Sequence, residues 1–472
     1  MKQVGYVTLV LALVLSMATL GFGQGKVTMT KDGGTAIQIS GEIDFHYVYQ
    51  DDHMAEVRNW DQGGFTGGNG HSGTNQVFYW PNKFRFDIAV ADGVDAVVTM
   101  ENNPFNGYGV GGTGADFFEF GLTYIIFREV YNKDTTVSVG VQDIKFGDGF
   151  FMDLRHAESA WDFNPVDPRY SGWILWNPAS IVIDYNAAPV NFKLFGALAN
   201  LDSGITTSTE EWVYGMTFDY DLEGKVAGLA KGGSLNLLAT MFVGGDVWPV
   251  ENTHSQELWT FGIGLNLKDL ANVKGLSIYG EGYWQFGDAG ESDVDGDGEE
   301  DTLDAGGWAA RGGLKYEFDN PNKPWISLEY WMLSGDDDED DADLDGFVSY
   351  ENVNDFLIVE HSLYGLDVDT NYTALKVKGG VSTQVGGKNL DLSAKLGFFS
   401  FTEDAPLDST PGALREDELG SELDFTMKLD YTKNVSFDLT IAWLWSADAL
   451  ELYTDSEEDS LSAFMLGTNV KF

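Results

Sequence analysis

Two acidic stretches hold the residues whose types and spacing best suit chemistry. In the first, Asp293, Asp295, Asp297 and Gly298 are followed by Glu299, Asp301 and Asp304. This is D-x-D-x-D-G with oxygen ligands at the ninth and twelfth positions, the order of an EF-hand-type calcium loop. Alternate residues of a tight loop converge on one cation, and the glycine permits the bend. The closing ligand, Asp304, is shorter than the usual bidentate Glu. The second stretch begins at Asp341, with Asp343, Asp345 and Gly346, then Ser349 at the ninth position and Asn352 at the twelfth. Glu351 stands one residue early. An all-oxygen donor set points to structural Ca²⁺. The plainer reading is a solvated acidic run, which residues 336–341 (DDDEDD) partly are.

Little else in the chain suggests catalysis. The six histidines (46, 53, 71, 156, 254, 361) are scattered. None falls in H-E-x-x-H, and no G-x-S-x-G or phosphate-binding loop is present. The chain has no cysteine, which removes disulfides, thiolate metal sites and Cys nucleophiles. The expectation is a protein that is not an enzyme.

Composition narrows the class. Asp plus Glu number 75 against 27 Lys plus Arg, for a net charge of −48. Such a chain repels phosphate backbones, so nucleic acid is excluded as a partner. A disordered acidic chain would lack aromatics, yet 14% of these 472 residues are aromatic and 43% are apolar. Gly is abundant at 57 and Pro scarce at 11, which suits strands and tight turns. At the N-terminus, Lys2, the apolar run 7–15 (VTLVLALVL) and the small residues Gly21 and Gly23 predict a signal peptide over 1–23. No later apolar run is long enough for a spanning helix. A membrane form of residues 24–472 would have to cross as strands, in a single barrel domain.

Segments with period-two alternation recur along the chain: 35–50, 78–91, 93–103, 118–131, 134–143, 180–185, 190–200, 212–221 and 234–243. They continue at 257–268, 275–287, 307–319, 324–334, 371–383, 389–401, 420–430, 435–445 and 461–472. The connections alternate between short and long. About eighteen strands so joined predict a transmembrane antiparallel up-and-down β-barrel, all-β, with short periplasmic turns and long acidic external loops. In 420–430, Leu423, Phe425, Met427 and Leu429 alternate with Glu422, Asp424, Thr426 and Lys428. One face then meets lipid and the other a water-filled lumen. Candidate pore-lining residues are Arg85, Asp87, Arg128, Glu422, Asp424 and Lys428. Arg155 and Arg169 join them if the long loop 144–179 folds inward. Tryptophans near strand ends fit interfacial girdles.

The final strand places Phe464, Leu466, Val470 and Phe472 on one face and ends the chain on an aromatic. That ending resembles the assembly signal of bacterial outer-membrane barrels, and implies the barrel assembly machinery as a partner. Residues 139–162 (VGVQDIKFGDGFFMDLRHAESAWD), with LGSELD at 419–424 and YTKNVS at 431–436, resemble segments of alginate-export-type outer-membrane proteins. The resemblance implies an eighteen-stranded monomeric barrel in the outer membrane. It also implies an arginine-rich anion path, from which this chain departs, since it has only seven Arg. The leading expectation is a porin-like channel for small hydrophilic solutes, preferring cations or neutral molecules, monomeric or trimeric. The alternatives are a docking protein whose Ca²⁺-bound loops hold a surface layer or polysaccharide, and a sheath for a partner such as a multihaem cytochrome.

Overall fold

The computed structural model describes residues 27–30, 36–50, 75–79, 82–102, 119–147, 149–154, 179–201, 210–226, 228–244, 256–292, 301–336, 342–349, 355–361, 368, 371–406, 415–446 and 460–472. The alternating segments form eighteen antiparallel strands that close into a barrel. In chain order they are β1 (Ala36–Gln50), β2 (Asn75–Tyr79 and Asn82–Ala91), β3 (Val94–Asn102), β4 (Glu119–Arg128), β5 (Thr135–Val141) and β6 (Ala179–Ala187). Next come β7 (Val190–Leu201), β8 (Glu210–Asp221), β9 (Gly232–Gly244), β10 (Gln256–Lys268), β11 (Leu276–Ser292) and β12 (Asp301–Ala305 and Trp308–Glu317). The last six are β13 (Trp325–Leu333), β14 (Tyr372–Val385), β15 (Lys388–Pro406), β16 (Arg415–Thr432), β17 (Val435–Ser446) and β18 (Leu461–Lys471). Each pairs with its sequence neighbours, and β18 closes the ring on β1 from Glu42↔Lys471 to Gln50↔Ala463. Closure leaves the barrel wall without unpaired edges, which a lipid environment requires.

Turns at one rim are tight. The hairpin at Asp92–Gly93 and the Gly386–Gly387 turn use glycines at φ +73°, +58° and +76°, backbone that other residues adopt only with strain. The opposite rim carries the long connections, including the one from β13 to β14.

The outer wall is apolar and open to the surroundings: Ile183, Met216, Ile263, Leu328, Val377 and Met427 are all exposed. Aromatics frame this belt. Trp259 stacks on Phe261 and Phe261 on Phe286 near the long loops. Phe218 stacks on Tyr220, and Tyr316 meets Phe318, near the short turns. Two aromatic girdles around an aliphatic band are the signature of a wall in lipid. The terminal Phe472 is seated on this wall: its backbone pairs with Gly41 in both directions at 3.0 Å, and its ring meets Phe84 at 5.7 Å.

The core lies inside the barrel. Three pieces from two loops fold into the lumen. Residues 144–154 form a small hairpin (Ile144↔Leu154, Lys145↔Asp153) that buries Phe146, Phe150, Phe151 and Met152. Two pieces of the long β13–β14 connection bury Leu344, Phe347 and Val348, then Phe356, Leu357, Ile358 and Val359. They pack on the inward residues Tyr283, Trp331 and Phe399.

Candidate functional site

The lumen combines an occupied side and an open vestibule. On the occupied side, Phe151 meets Tyr283 at 5.1 Å and Phe347 at 5.9 Å, while Phe150 meets Trp331 at 5.0 Å. Arg311 of β12 lies under this cluster. Its guanidinium bonds Glu281 (Nε to Oε1, 3.0 Å) and stands 4.8 Å from the Phe150 ring and 5.3 Å from Trp331. Glu281 also accepts from Tyr283. Pairing with a carboxylate and cover by aromatic faces both stabilise a planar cation in a dry site. Gln285 clamps the next inward segment: Val348 N–H donates to its Oε1 at 2.8 Å, and its Nε2 donates to Val348 C=O at 2.7 Å.

Beside this lies a charged network around residues 355–360. Asp355 receives Lys378 at 2.7 Å, Lys395 at 3.4 Å and Lys376 at 3.8 Å. Lys378 also reaches Glu329 at 2.8 Å, and Lys376 pairs with Glu360. Burial alone would raise the Asp355 carboxyl, but the ammonium groups of Lys376, Lys395 and Lys378 outweigh it and hold the group below the usual carboxylate range. Tyr372 donates to Glu360 at 2.6 Å.

Here the structure corrects the expectation for Glu422 and Asp424. They face inward as the alternation required, but they do not line water: they are 0% and 1% exposed. Glu422 accepts from Ile358 N–H at 2.7 Å and Val359 N–H at 2.8 Å, and Asp424 from Leu357 N–H at 3.0 Å. A folded-in turn, with its own amide donors, has replaced the solvent.

Lys428 does line open space. It belongs to a cavity of about 750 Å³ at the short-turn end, bounded by β1 and by β15 to β18. The cavity carries Glu42, Asp44, Asp430 and Asp438 against Lys388, Lys428, Lys433 and Lys471, with His46 among them. The acids and lysines are equal in number, so this vestibule is polar without a strong sign of charge. Arg85 faces the lumen paired with Asp87 on its own strand at 2.9 Å, and Arg128 pairs with Asp95 at 2.6 Å near the short-turn rim. These arginines are separately neutralised and form no common path. Arg155 and Arg169 lie outside the described residues.

The acidic stretches are described only in part. Asp293, Asp295, Asp297, Glu299, Asp341 and Asn352 lie outside the described residues, as does the predicted signal peptide. Asp301 and Asp304, expected in a cation-wrapping loop, sit instead on β12, in register with Ser292 and Asp288 of β11. Three residues apart on a strand, their side chains point to opposite faces, so this segment does not bring both to one ion. Asp304 is in parallel register with Asp343, which links the two acidic stretches. Asp345 and Ser349 belong to the inward segment, where Asp345 C=O accepts from Ser334 Oγ at 2.6 Å and Ser349 is 8% exposed. Among the described residues no group of three or more His, Cys, Asp or Glu is placed to hold a metal.

The sequence reading passed over Lys376, Lys378, Lys395, Asp355, Glu360, Arg311 and Glu281. Two signals were available. Lys376 and Lys378 alternate with Leu375 and Val377 on one strand, and an apolar run bounded by acids, DFLIVE at 355–360, interrupts a loop read as solvated.

No family model matches the chain, and no curated protein matches it. The likeness to alginate-export proteins therefore stays a resemblance of short segments. Among solved structures, the chain is similar to the outer membrane protein OprD from Pseudomonas aeruginosa, at 10% identity and a TM-score of 0.48, over 92% of this chain and 93% of that one. It is also similar to Acinetobacter baumannii OccAB1 (13% identity, TM-score 0.48, 92% and 96% covered). Pseudomonas aeruginosa OccK11 (OpdR) matches at 12% identity and a TM-score of 0.46, over 96% and 99%.

Proposed function

We propose that this chain is an outer-membrane, porin-like channel for passive diffusion of small hydrophilic solutes, without enzymatic activity. The observation that carries the reading is the two-faced closed wall. Its outside is an apolar band between aromatic girdles, suited to lipid, and its inside joins a packed plug and charged networks to a polar vestibule of about 750 Å³. A soluble protein would not leave such a belt uncovered. The inward segments narrow the lumen and so favour small solutes. They also argue against a sheath, because the chain itself occupies space that a partner in the lumen would need.

The preference for cations or neutral solutes belongs to the same proposal. It draws on the net charge of −48 rather than on the balanced vestibule. Calcium at the external rim is a further part of it, supported by the register that sets Asp304 beside Asp343.

Liposome swelling tests the reading. Vesicles carrying the purified barrel should swell in small sugars and amino acids, at rates that fall with solute size. Swelling no faster than that of protein-free vesicles would refute it.

A further inference from the structure

We infer that residues 355–360 form a releasable gate which closes the lumen along β13–β16. The inference rests on the channel reading above. The inward segments are anchored in different ways. Residues 144–154 make their own two-stranded ladder, and residues 343–344 pair with Asp304–Ala305 of the wall. The 355–360 turn instead gives four successive amides to carboxylates: Phe356 to Glu360 at 3.1 Å, Leu357 to Asp424, and Ile358 and Val359 to Glu422. Its own acids in turn sit on wall lysines, Asp355 on Lys376, Lys378 and Lys395, and Glu360 on Lys376. Side chains of a wall that stays intact therefore hold the turn, and it can leave without breaking a strand.

The closed position is also incompletely matched. Five carboxylates (Glu329, Asp355, Glu360, Glu422, Asp424) face three lysines. Desolvation of this many carboxyl and ammonium groups favours the position in which water reaches them. Burial of Phe356, at 1% exposure, and Ile358, at 0%, favours the closed one. Opposed contributions on one short segment make an element with two positions, and the wall carboxylates Glu422 and Asp424 bias it toward closed.

The test uses the full chain, which has no cysteine of its own. Ile358→Cys introduces a single buried thiol whose reaction with a water-soluble maleimide reports release of the turn. In that background Glu422→Ala with Asp424→Ala should speed labelling by at least about tenfold, since three amide-to-carboxyl hydrogen bonds are lost. The same pair should raise single-channel conductance. Glu422→Gln with Asp424→Asn keeps one acceptor oxygen at each position and should label more slowly than the alanine pair, which separates release from misfolding. Asp355→Asn should also speed labelling. Equal labelling in the parent and the alanine pair would overturn the gate. So would faster labelling with unchanged conductance. If none of the proteins passes current, the channel reading fails and the gate with it.

Discussion

Truncating Phe151 to alanine should free the 144–154 hairpin from the lumen while leaving the wall intact. Phe151 is 0% exposed and its ring contacts Tyr283 and Phe347, so it joins two inward segments to the β11 wall. Phe-to-Ala changes in packed cores cost about 3–5 kcal/mol, the lost transfer energy plus the cavity left behind. The hairpin's own backbone bonds are few: a two-residue ladder, with Phe146 N–H on Met152 C=O at 3.1 Å and Gly149 N–H on Phe146 C=O at 3.0 Å. Its other ring contacts with the wall are those of Phe146 and Phe150. The cost should therefore fall on local opening rather than on the barrel ladders. At 1.4 kcal/mol per tenfold, exchange of the Phe146 amide should accelerate about a hundredfold to several thousandfold. Hydrogen exchange read by mass spectrometry on the detergent-purified barrel gives this directly, with amides of β9 and β10 as internal controls. Phe127→Ala on the outer face, where the side chain is 39% exposed, should leave the hairpin unaffected. An unchanged Phe146 amide in Phe151→Ala would refute the claim that aromatic packing holds the plug. Loss of protection throughout the barrel would refute its separation from the wall.

Three further predictions follow from other parts of the molecule. Gly41→Val should displace the terminal aromatic, because a Cβ there would collide with the Phe472 ring and lie 2.7 Å from Lys83 C=O. The overpacking should cost about 1–3 kcal/mol at the β1–β18 seam, visible as a lower temperature for the folded-to-unfolded gel shift, and an unchanged transition would argue against the seat. The Asp355 carboxyl, held below its usual range by the three lysines, contributes stability that is complete above its unfolded value of about 3.9 and lost only as pH falls through the lower folded value. The Asp355 carboxyl should thus stay ionised from neutral pH down to about pH 4: the carboxylate infrared band that Asp355→Asn removes should persist across that window, and its loss there would contradict the assignment. Calcium at the acidic rim should protect the loops after β11 and β13 from protease, and equal cleavage with and without chelator would remove the cation from the account.

The strands were legible because a barrel wall repeats one instruction. Apolar and polar residues alternate as in 423–430, a tight turn such as Asp92–Gly93 follows, and each strand can pair with its neighbour, so eighteen segments were placed with only small shifts at their ends. The lumen was not legible in the same way. Glu422 and Asp424 obey the same alternation whether the space before them holds water or a folded-in turn, so the pattern fixes their direction and not their surroundings. What distinguishes the cases lies elsewhere, in apolar runs within loops: FF at 150–151 and DFLIVE at 355–360. A solvated loop has no use for such runs. The motif reading of Asp301 and Asp304 met a competing demand. Spacing suited to a cation loop was overridden by extension of the β11–β12 ladder, which satisfies backbone groups and turns the two carboxylates apart.

Electrical recording on the purified, folded protein in planar lipid bilayers tests the central claim most directly. The account predicts stepwise current increments on insertion, with reversal potentials in a salt gradient that show cations permeating more readily than anions. A barrel that is folded by gel shift and inserted in the bilayer, yet gives no current steps, would contradict it.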